Sequence, residues 1–272
     1  MGIRCFQVDA FTTQPFAGNP AAVCLLEDER DAAWMQRIAN EMNLSETAFV
    51  RPQLEGFDLR WFTPETEVEL CGHATLAAAH VLWSEGLVAP TEPISFATQS
   101  GELRCAFNGT LIELDFPATP VTPAAPPPGL LEALDVSAEY VGKSKFDKFV
   151  LIESESKLRA LKPDFRRLRE IAMRGVIVTS LSTDASFDFV SRYFAPGVGI
   201  DEDPVTGSAH CCLAPLWGDR LGKREMVGYQ ASRRGGVVRV RLAGNRVVLG
   251  GGAVTMFRGN LSDPAIRGLV AL

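Results

Sequence analysis

The sequence lacks several features that would place it in a common functional class. Its six cysteines include no Cys-x-x-Cys pair and no His/Cys spacing typical of zinc, so no metal site is expected. Six cysteines in 272 residues do not form a disulfide framework, and most are expected to be buried in a reducing cytoplasm. No run of ~18 apolar residues occurs, which argues against a membrane-spanning helix.

Basic charge is also scarce. The 27 Lys and Arg residues are outnumbered by 33 Asp and Glu, which leaves a formal net charge of −6. The densest basic stretch, Lys143, Lys145 and Lys148, is interrupted by Asp147 and is interpreted as a solvated face. Because binding to phosphates needs a clustered basic surface, a nucleic-acid partner is not expected.

One motif occurs twice, about half the chain apart. The first copy is Arg60-Trp61-Phe62-Thr63-Pro64, followed by Gly72-His73-Ala74. The second is Arg192-Tyr193-Phe194-Ala195-Pro196, followed by Gly207-Ser208-Ala209. The two arginines are 132 residues apart and the two glycines 135 apart, so the second copy has three extra residues. A duplicated unit of this size predicts two similar lobes with a cleft between them.

The pattern of each half predicts the fold class. Each half has many short strand-like segments and one strongly apolar helix, predicted over Gly72–Trp83 and Ser208–Leu216. We expect an α+β protein of two lobes, each a curved, mostly antiparallel sheet around its helix, with the active site in the cleft. Six prolines in the segment 117–129 mark the boundary. Residues 1–117 should form the N-terminal lobe, completed by about 258–272, and residues 118–257 the C-terminal lobe.

Glu46 is the first candidate for chemistry. It is a lone carboxylate in Asn43-Leu44-Ser45-Glu46-Thr47, between a predicted helix and an apolar strand, so partial burial is expected. Burial raises the pKa of a carboxyl group, which suits a general acid/base near neutral pH. The alternative is a turn or helix-terminal glutamate held in a hydrogen bond.

The two predicted helix starts form the second candidate region. His73 follows Gly72, where the helix dipole favours the neutral imidazole, although a capping or packing histidine fits equally well. Gly207 and Ser208 open the second helix after Asp203, which also fits a simple N-terminal charge cluster. Free backbone N–H groups at helix starts bind anions, so a small carboxylate is the expected ligand.

Cys71 directly precedes the first helix, and a thiol there can have a lowered pKa. The second copy of the repeat has no matching cysteine.

Several motifs, in their order along the chain, resemble the PhzF-like family of phenazine biosynthesis proteins, within the diaminopimelate epimerase fold. The resemblance is carried by Val8-Asp9-Ala10-Phe11, Phe16-Ala17-Gly18-Asn19-Pro20, Asn43-Leu44-Ser45-Glu46-Thr47-Ala48-Phe49, Arg60-Trp61-Phe62-Thr63-Pro64, Cys71-Gly72-His73-Ala74-Thr75 and Glu202-Asp203-Pro204-Val205-Thr206-Gly207-Ser208-Ala209.

The resemblance implies a cofactor-independent isomerase, active as a homodimer. In it, Glu46 would shuttle a proton on a small unsaturated or cyclic carboxylic acid, such as one like dihydro-hydroxyanthranilate. His73 and Asp203 would bind and polarise the substrate as further catalytic residues. The expected substrate-binding residues are Gly72, Gly207, Ser208 and Asn19.

Two alternatives remain open. The related epimerases and proline racemases use two cysteines, one in each lobe, whereas this chain keeps only Cys71. An amino-acid racemase or epimerase would therefore pair Cys71, as the candidate second base, with Glu46 or Asp203. The other alternative is a non-catalytic lobe pair that binds a small acid or a protein partner.

Overall fold

The protein is described by a computed structural model that covers residues 2–267. Residues 2–115 and 250–267 form one compact unit, and residues 116–249 form the other. The segment that returns to the first unit thus begins at 250, before the expected 258, because a long strand of this segment pairs with the first strand of the chain. The last five residues of the expected returning segment, 268–272, lie outside the described residues.

Short strands alternate with a few helices along the described chain. The strands are β1 Arg4–Ala10, β2 Asn19–Leu25, β3 Glu46–Pro52, β4 Phe57–Phe62, β5 Glu67–Val68, β6 Ile94–Thr98, β7 Gly101–Phe107, β8 Ile112–Pro117, β9 Thr122–Pro123, β10 Tyr140–Lys143, β11 Lys148–Leu151, β12 Val176–Leu181, β13 Phe189–Phe194, β14 Glu225–Gln230, β15 Gly236–Ala243, β16 Arg246–Gly251 and β17 Ala253–Asn260. The helices are α1 Ala32–Met42, α2 Gly72–Ser84, α3 Leu130–Leu134, α4 Glu155–Ala160, α5 Phe165–Glu170, α6 Gly207–Leu221 and α7 Asp263–Arg267. None of these helices is both long and apolar enough to cross a bilayer.

The first unit is a mostly antiparallel sheet packed around α2. Its β2–β3 and β4–β6 pairs are parallel, whereas β17–β1, β1–β2, β3–β4, β6–β7 and β7–β8 are antiparallel. Ten of the 13 residues of α2 are buried, since the helix packs against β1, β2, β3 and β17. A helix that is apolar on nearly all sides is stable only when enclosed in this way.

Helix α1 has one apolar side and polar signals at both ends. The Asp31 carboxylate accepts a hydrogen bond from the backbone N–H of Trp34 at 2.7 Å, and Asn43 ends the helix in the left-handed conformation. Trp34 and Ile38 are buried at helical spacing and join a core cluster that includes Phe49 of β3. Three residues separate the end of α1 at Met42 from β3, which begins at Glu46.

The second unit repeats the plan, with α6 in place of α2. Its β11–β12 and β13–β14 pairs are parallel and its β10–β11, β12–β13 and β14–β15 pairs antiparallel, while α6 packs against β14 and β15. The expected α+β class, with mostly antiparallel sheets around apolar helices, is confirmed in each unit.

The predicted end of α6 at Leu216 is wrong, because the helix continues to Leu221 through Pro215. A proline inside a helix removes one backbone donor and leaves the carbonyl four residues earlier without its helical partner. Here the Cys211 carbonyl accepts instead from the backbone N–H of Thr119, at 3.0 Å. This external partner allows the helix to pass through the proline.

Candidate active site

Glu46 and His73 lie together in the first unit. Glu46 is the first residue of β3 and His73 the second of α2. The Glu46 Oε2 and His73 Nε2 atoms are 3.0 Å apart, and the two side chains are 13% and 5% exposed. Neither atom has a well-oriented hydrogen-bond partner among the described residues, so both can interact with a further group. The partial burial expected for Glu46 is confirmed.

The other ring nitrogen of His73 faces Asn19 and Cys71. Asn19 Nδ2 lies 3.1 Å from Nδ1, and the Cys71 Sγ lies 3.6 Å from it. When the imidazole is protonated, both ring nitrogens donate, and Asn19 must then present its amide oxygen to Nδ1. Asn19, which is fully buried, thus holds the ring so that Nε2 remains directed to Glu46.

A constrained loop delivers Asn19 to this position. Residues 11–18 connect β1 to β2, and both Phe11 (φ 61°) and Phe16 (φ 68°) adopt the left-handed conformation that non-glycine residues disfavour. The backbone N–H of Phe16 donates to the buried Asp9 carboxylate at 2.9 Å, which stabilises the loop. Strained backbone of this kind is common beside functional sites.

The electrostatics of His73 differ from the sequence-based expectation. Burial alone lowers the pKa of His73, but the neighbouring Cys71 and Glu46 outweigh it, and the net pKa is well above the usual value. Burial and the Glu46 charge raise the pKa of Cys71, so its thiol is protonated near neutral pH. This raised pKa contradicts the prediction of a neutral His73 from the helix dipole, because Cys71 and Glu46 together favour the charged ring.

Three potential metal ligands meet at this point. Ligand atoms of Glu46, Cys71 and His73 lie within 4.8 Å of one another. The carboxylate approaches Nε2, however, and the thiol lies next to Nδ1. A metal ion binds one ring nitrogen in the plane of the imidazole, so these side chains would have to rearrange to surround a single ion. The arrangement fits proton transfer better than metal binding.

In the second unit, Asp203 belongs to a buried polar network. Asp203 is 8% exposed, and its Oδ2 accepts a hydrogen bond from the Thr206 hydroxyl at 2.5 Å. Gln230 ties the segment together, because its Nε2 donates to the Asp203 carbonyl at 2.7 Å and its Oε1 accepts from the Thr206 N–H at 2.9 Å. Gln230 carried no signal in the sequence, since its partners are 24 and 27 residues away.

Gly207 and Ser208 begin α6, as Gly72 and His73 begin α2. The Ser208 hydroxyl accepts a hydrogen bond from Arg174 Nη2 at 3.1 Å. Arg174 is held by Asp147, whose side chain is 1% exposed. Lys143 and Lys145 are exposed, as expected for a solvated face, but the neighbouring Asp147 is buried because Arg174 and Tyr193 both donate to its carboxylate.

The strand registers show what stands at the position of Glu46 in the second unit. Thr47 of β3 pairs with Phe62, and Val176 of β12 pairs with Phe194. Phe62 and Phe194 are equivalent in the repeated motif, so Thr47 matches Val176. Glu46 then matches Gly175, which has no side chain, and Ser45 matches Arg174. Within the described residues, a carboxylate at this strand position is thus a feature of the first unit alone.

The chain is similar to known proteins over nearly its whole length. The sequence model described as phenazine biosynthesis-like protein matches residues 8–259. A protein named as an uncharacterized isomerase in Halalkalibacterium halodurans is 52% identical over 257 residues, which are 94% of this chain and 97% of that protein.

Solved structures agree with this similarity. A crystal structure of a phenazine biosynthesis protein of the PhzF family from Enterococcus faecalis has 42% identity and a TM-score of 0.89, covering 96% of this chain and 100% of that one. A hydroxyproline epimerase from Agrobacterium vitis has 11% identity and a TM-score of 0.61, covering 95% and 90%. The second similarity shows the fold alone.

Proposed function

This chain belongs to the phenazine biosynthesis-like protein family, and on that premise we propose that it is a cofactor-independent isomerase with Glu46 as its acid/base. Isomerase chemistry is supported at the level of the family by relatives that are named as isomerases. The proposed substrate is a small unsaturated or cyclic carboxylic acid in which a proton moves from one carbon to another.

The contact between Glu46 and His73 carries this proposal. The carboxylate is the form that accepts a proton from carbon, and the His73 ring lies 3.0 Å from the Glu46 carboxyl group. In the forward step, Glu46 takes the proton and the C–H electron pair is delocalised into the conjugated system. The same carboxyl group then returns the proton to a carbon further along that system. The step is balanced, because bonds to hydrogen are exchanged and nothing is oxidised or reduced.

Other residues are assigned to binding. We propose that His73, Asp203 and Ser208 bind and polarise the polar groups of the substrate, and that the backbone N–H groups of Gly72 and Gly207 donate to its carboxylate. Asn19 acts through His73 and is a positioning residue, as its contact with Nδ1 supports.

A substitution at Glu46 tests the proposal. Small carboxylic acids would be screened for thermal stabilisation of the protein, and those that bind would be followed by NMR in deuterated buffer. Glu46→Gln should reduce solvent-deuterium incorporation by about 10²–10⁴-fold, since a general acid/base contributes that much to rate. Binding should persist, because glutamine keeps the shape of the side chain.

The matched control is Glu41→Gln, at an exposed position near the end of α1. This variant should exchange deuterium at the wild-type rate. If Glu46→Gln keeps the wild-type exchange rate, Glu46 is not the acid/base and the proposal is wrong.

Racemisation or epimerisation with Cys71 as a base is the second candidate. It is favoured by the 3.6 Å contact between Cys71 Sγ and His73 Nδ1. It is opposed by the raised pKa of the buried thiol, because the thiolate is the form that removes protons. Cys71→Ser separates the two candidates by the exchange assay: nearly full activity supports Glu46 alone, and a loss comparable to that of Glu46→Gln supports a second base.

The family resemblance also leads us to propose a homodimer. Sedimentation or light scattering measures this directly, and a monomer across the concentration range of the activity assay would contradict it.

A further inference from the structure

The hydroxyl of Ser208 has a defined hydrogen-bond role. A guanidinium group can only donate hydrogen bonds, so Ser208 Oγ must accept from Arg174 Nη2 in their 3.1 Å contact. The hydroxyl proton therefore stays available to donate elsewhere. Oγ makes no other hydrogen bond within residues 2–267.

Arg174 is held in place from several sides. Its Nε and Nη2 donate to the two carboxylate oxygens of Asp147 at 2.8 and 2.5 Å, and the Tyr193 hydroxyl donates to the same carboxylate at 2.9 Å. The guanidinium also lies over the ring of Phe146, 4.9 Å from its centre. A bidentate pair with a buried carboxylate fixes the orientation of the guanidinium plane.

This anchoring leaves Arg174 accessible. Its side chain is 39% exposed, whereas that of Asp147 is 1% exposed. The same guanidinium can thus be buried on its Asp147 side and still direct Nη2 to the serine at the start of α6. The matched residue in the first unit is Ser45, so this donor arrangement belongs to the second unit.

We propose that Arg174 is a positioning residue that orients the Ser208 hydroxyl as a donor to a carboxylate oxygen of the substrate. The inference rests on the proposed function and makes it more specific, since it assigns recognition of the anionic group to a side-chain pair. Proton transfer by Glu46 and carboxylate recognition by Ser208 are then separate properties of the protein.

Calorimetry with matched acids and amides tests this inference on the full chain. The probes are benzoate, anthranilate, 3-hydroxyanthranilate and maleate, and the carboxamide of each. Ser208→Ala should weaken binding of the acids by about tenfold or more, the typical effect of losing a hydrogen bond to a charged group. Binding of the uncharged amides should change by less.

The double variant distinguishes positioning from direct binding. Arg174→Met should weaken acid binding like Ser208→Ala, and Arg174→Met combined with Ser208→Ala should be no weaker than Ser208→Ala alone. Arg169→Met, which removes an exposed arginine of the same unit, is the matched control and should bind as the wild type does.

Several outcomes would overturn the inference. Effects of Arg174→Met and Ser208→Ala that multiply would show that Arg174 acts independently of the serine. Equal losses for acids and amides, or no binding of any of the four acids, would exclude carboxylate recognition. If Arg174→Met does not fold because Asp147 is left unpaired, Arg174→Gln with Asp147→Asn replaces it. Loss of deuterium exchange in Glu46→Gln with acid binding intact tests the proposed function separately.

Discussion

The two units share a framework and differ in the residues placed upon it. Both place a glycine at the start of an apolar helix, and both contain a parallel strand pair followed by an antiparallel one. At the matched positions beside the helix, one unit has Glu46 and His73 and the other Gly175 and Ser208. The first set can exchange protons, whereas the Ser208 hydroxyl can only form hydrogen bonds. The two units thus share the arrangement of strands and helix and differ in the side chains at the matched positions.

The repeated arginines belong to the framework. Arg60 binds Glu67 through two hydrogen bonds of 2.7 and 2.8 Å, and Arg192 binds Glu202 through two of 2.7 and 2.9 Å. Glu67 and Glu202 are 135 residues apart, as are the helix-initial glycines. Each arginine therefore secures the segment between its strand and the following helix.

The largest predicted difference between the units concerns these arginines. Arg192 also donates to the carbonyls of Leu158 and Leu161, and its side chain is 11% exposed against 31% for Arg60. Arg192→Met should therefore lower the free energy of unfolding by about 3–5 kcal/mol. Arg60→Met should lower it by about 1 kcal/mol, as for a partly exposed ion pair. Urea denaturation measures both, and equal losses would contradict the comparison.

A second prediction concerns Gly175, which stands in the second unit at the position that matches Glu46. A Cβ on Gly175 would overlap the Tyr193 hydroxyl, which is already bound to Asp147, and would lie 3.0 Å from the Phe194 carbonyl. Gly175→Ala should lower the free energy of unfolding by about 1–3 kcal/mol through overpacking. Gly197→Ala, whose Cβ would be 3.3 Å from its nearest neighbour, is the control and should cost less. A neutral Gly175→Ala would mean that packing does not exclude a side chain there.

The smallest predicted effect is a pH dependence of stability, which is expected for substitution of His73 but not of Ser208. The pKa of His73 is raised in the folded protein, so its charge stabilises the fold fully below the unfolded pKa of about 6.5. That contribution to the free energy of unfolding is lost as pH rises through the folded pKa. The stability advantage of the wild type over His73→Gln should therefore shrink as the pH rises above about 6.5, by at most about 1.4 kcal/mol per pH unit. Urea denaturation across this pH range measures the difference. The difference in unfolding free energy between the wild type and Ser208→Ala should stay constant with pH. A difference between the wild type and His73→Gln that grows with pH would contradict a raised pKa of His73.

Local patterns were sufficient for much of the fold. Helix α2 was predicted from its strongly apolar sequence, because that signal arises within a few turns. The end of α6 could not be predicted, since the helix passes Pro215 only with a distant donor, the Thr119 backbone, for the Cys211 carbonyl.

The candidate site divides in the same way. Glu46, His73 and Ser208 stood out because each lies next to a recognisable boundary between elements. Arg174, Asp147 and Gln230 did not, because their partners are 24 to 46 residues away in the chain. Contacts over such distances depend on strand pairing, which short-range patterns do not specify.

The sequence by itself determined the duplication, the element types and the residues with suitable chemistry, because periodicity and residue type are local properties. Only the tertiary structure decided their states. Folding brings His73 next to Glu46 and Cys71, which favours the imidazolium. It places Gly175 at the position that matches Glu46, where Tyr193 leaves no space for a side chain. It also buries the Asp147 carboxylate against Arg174. Charge state and hydrogen-bond role depend on neighbours within a few ångströms, and folding brings those neighbours from distant parts of the chain.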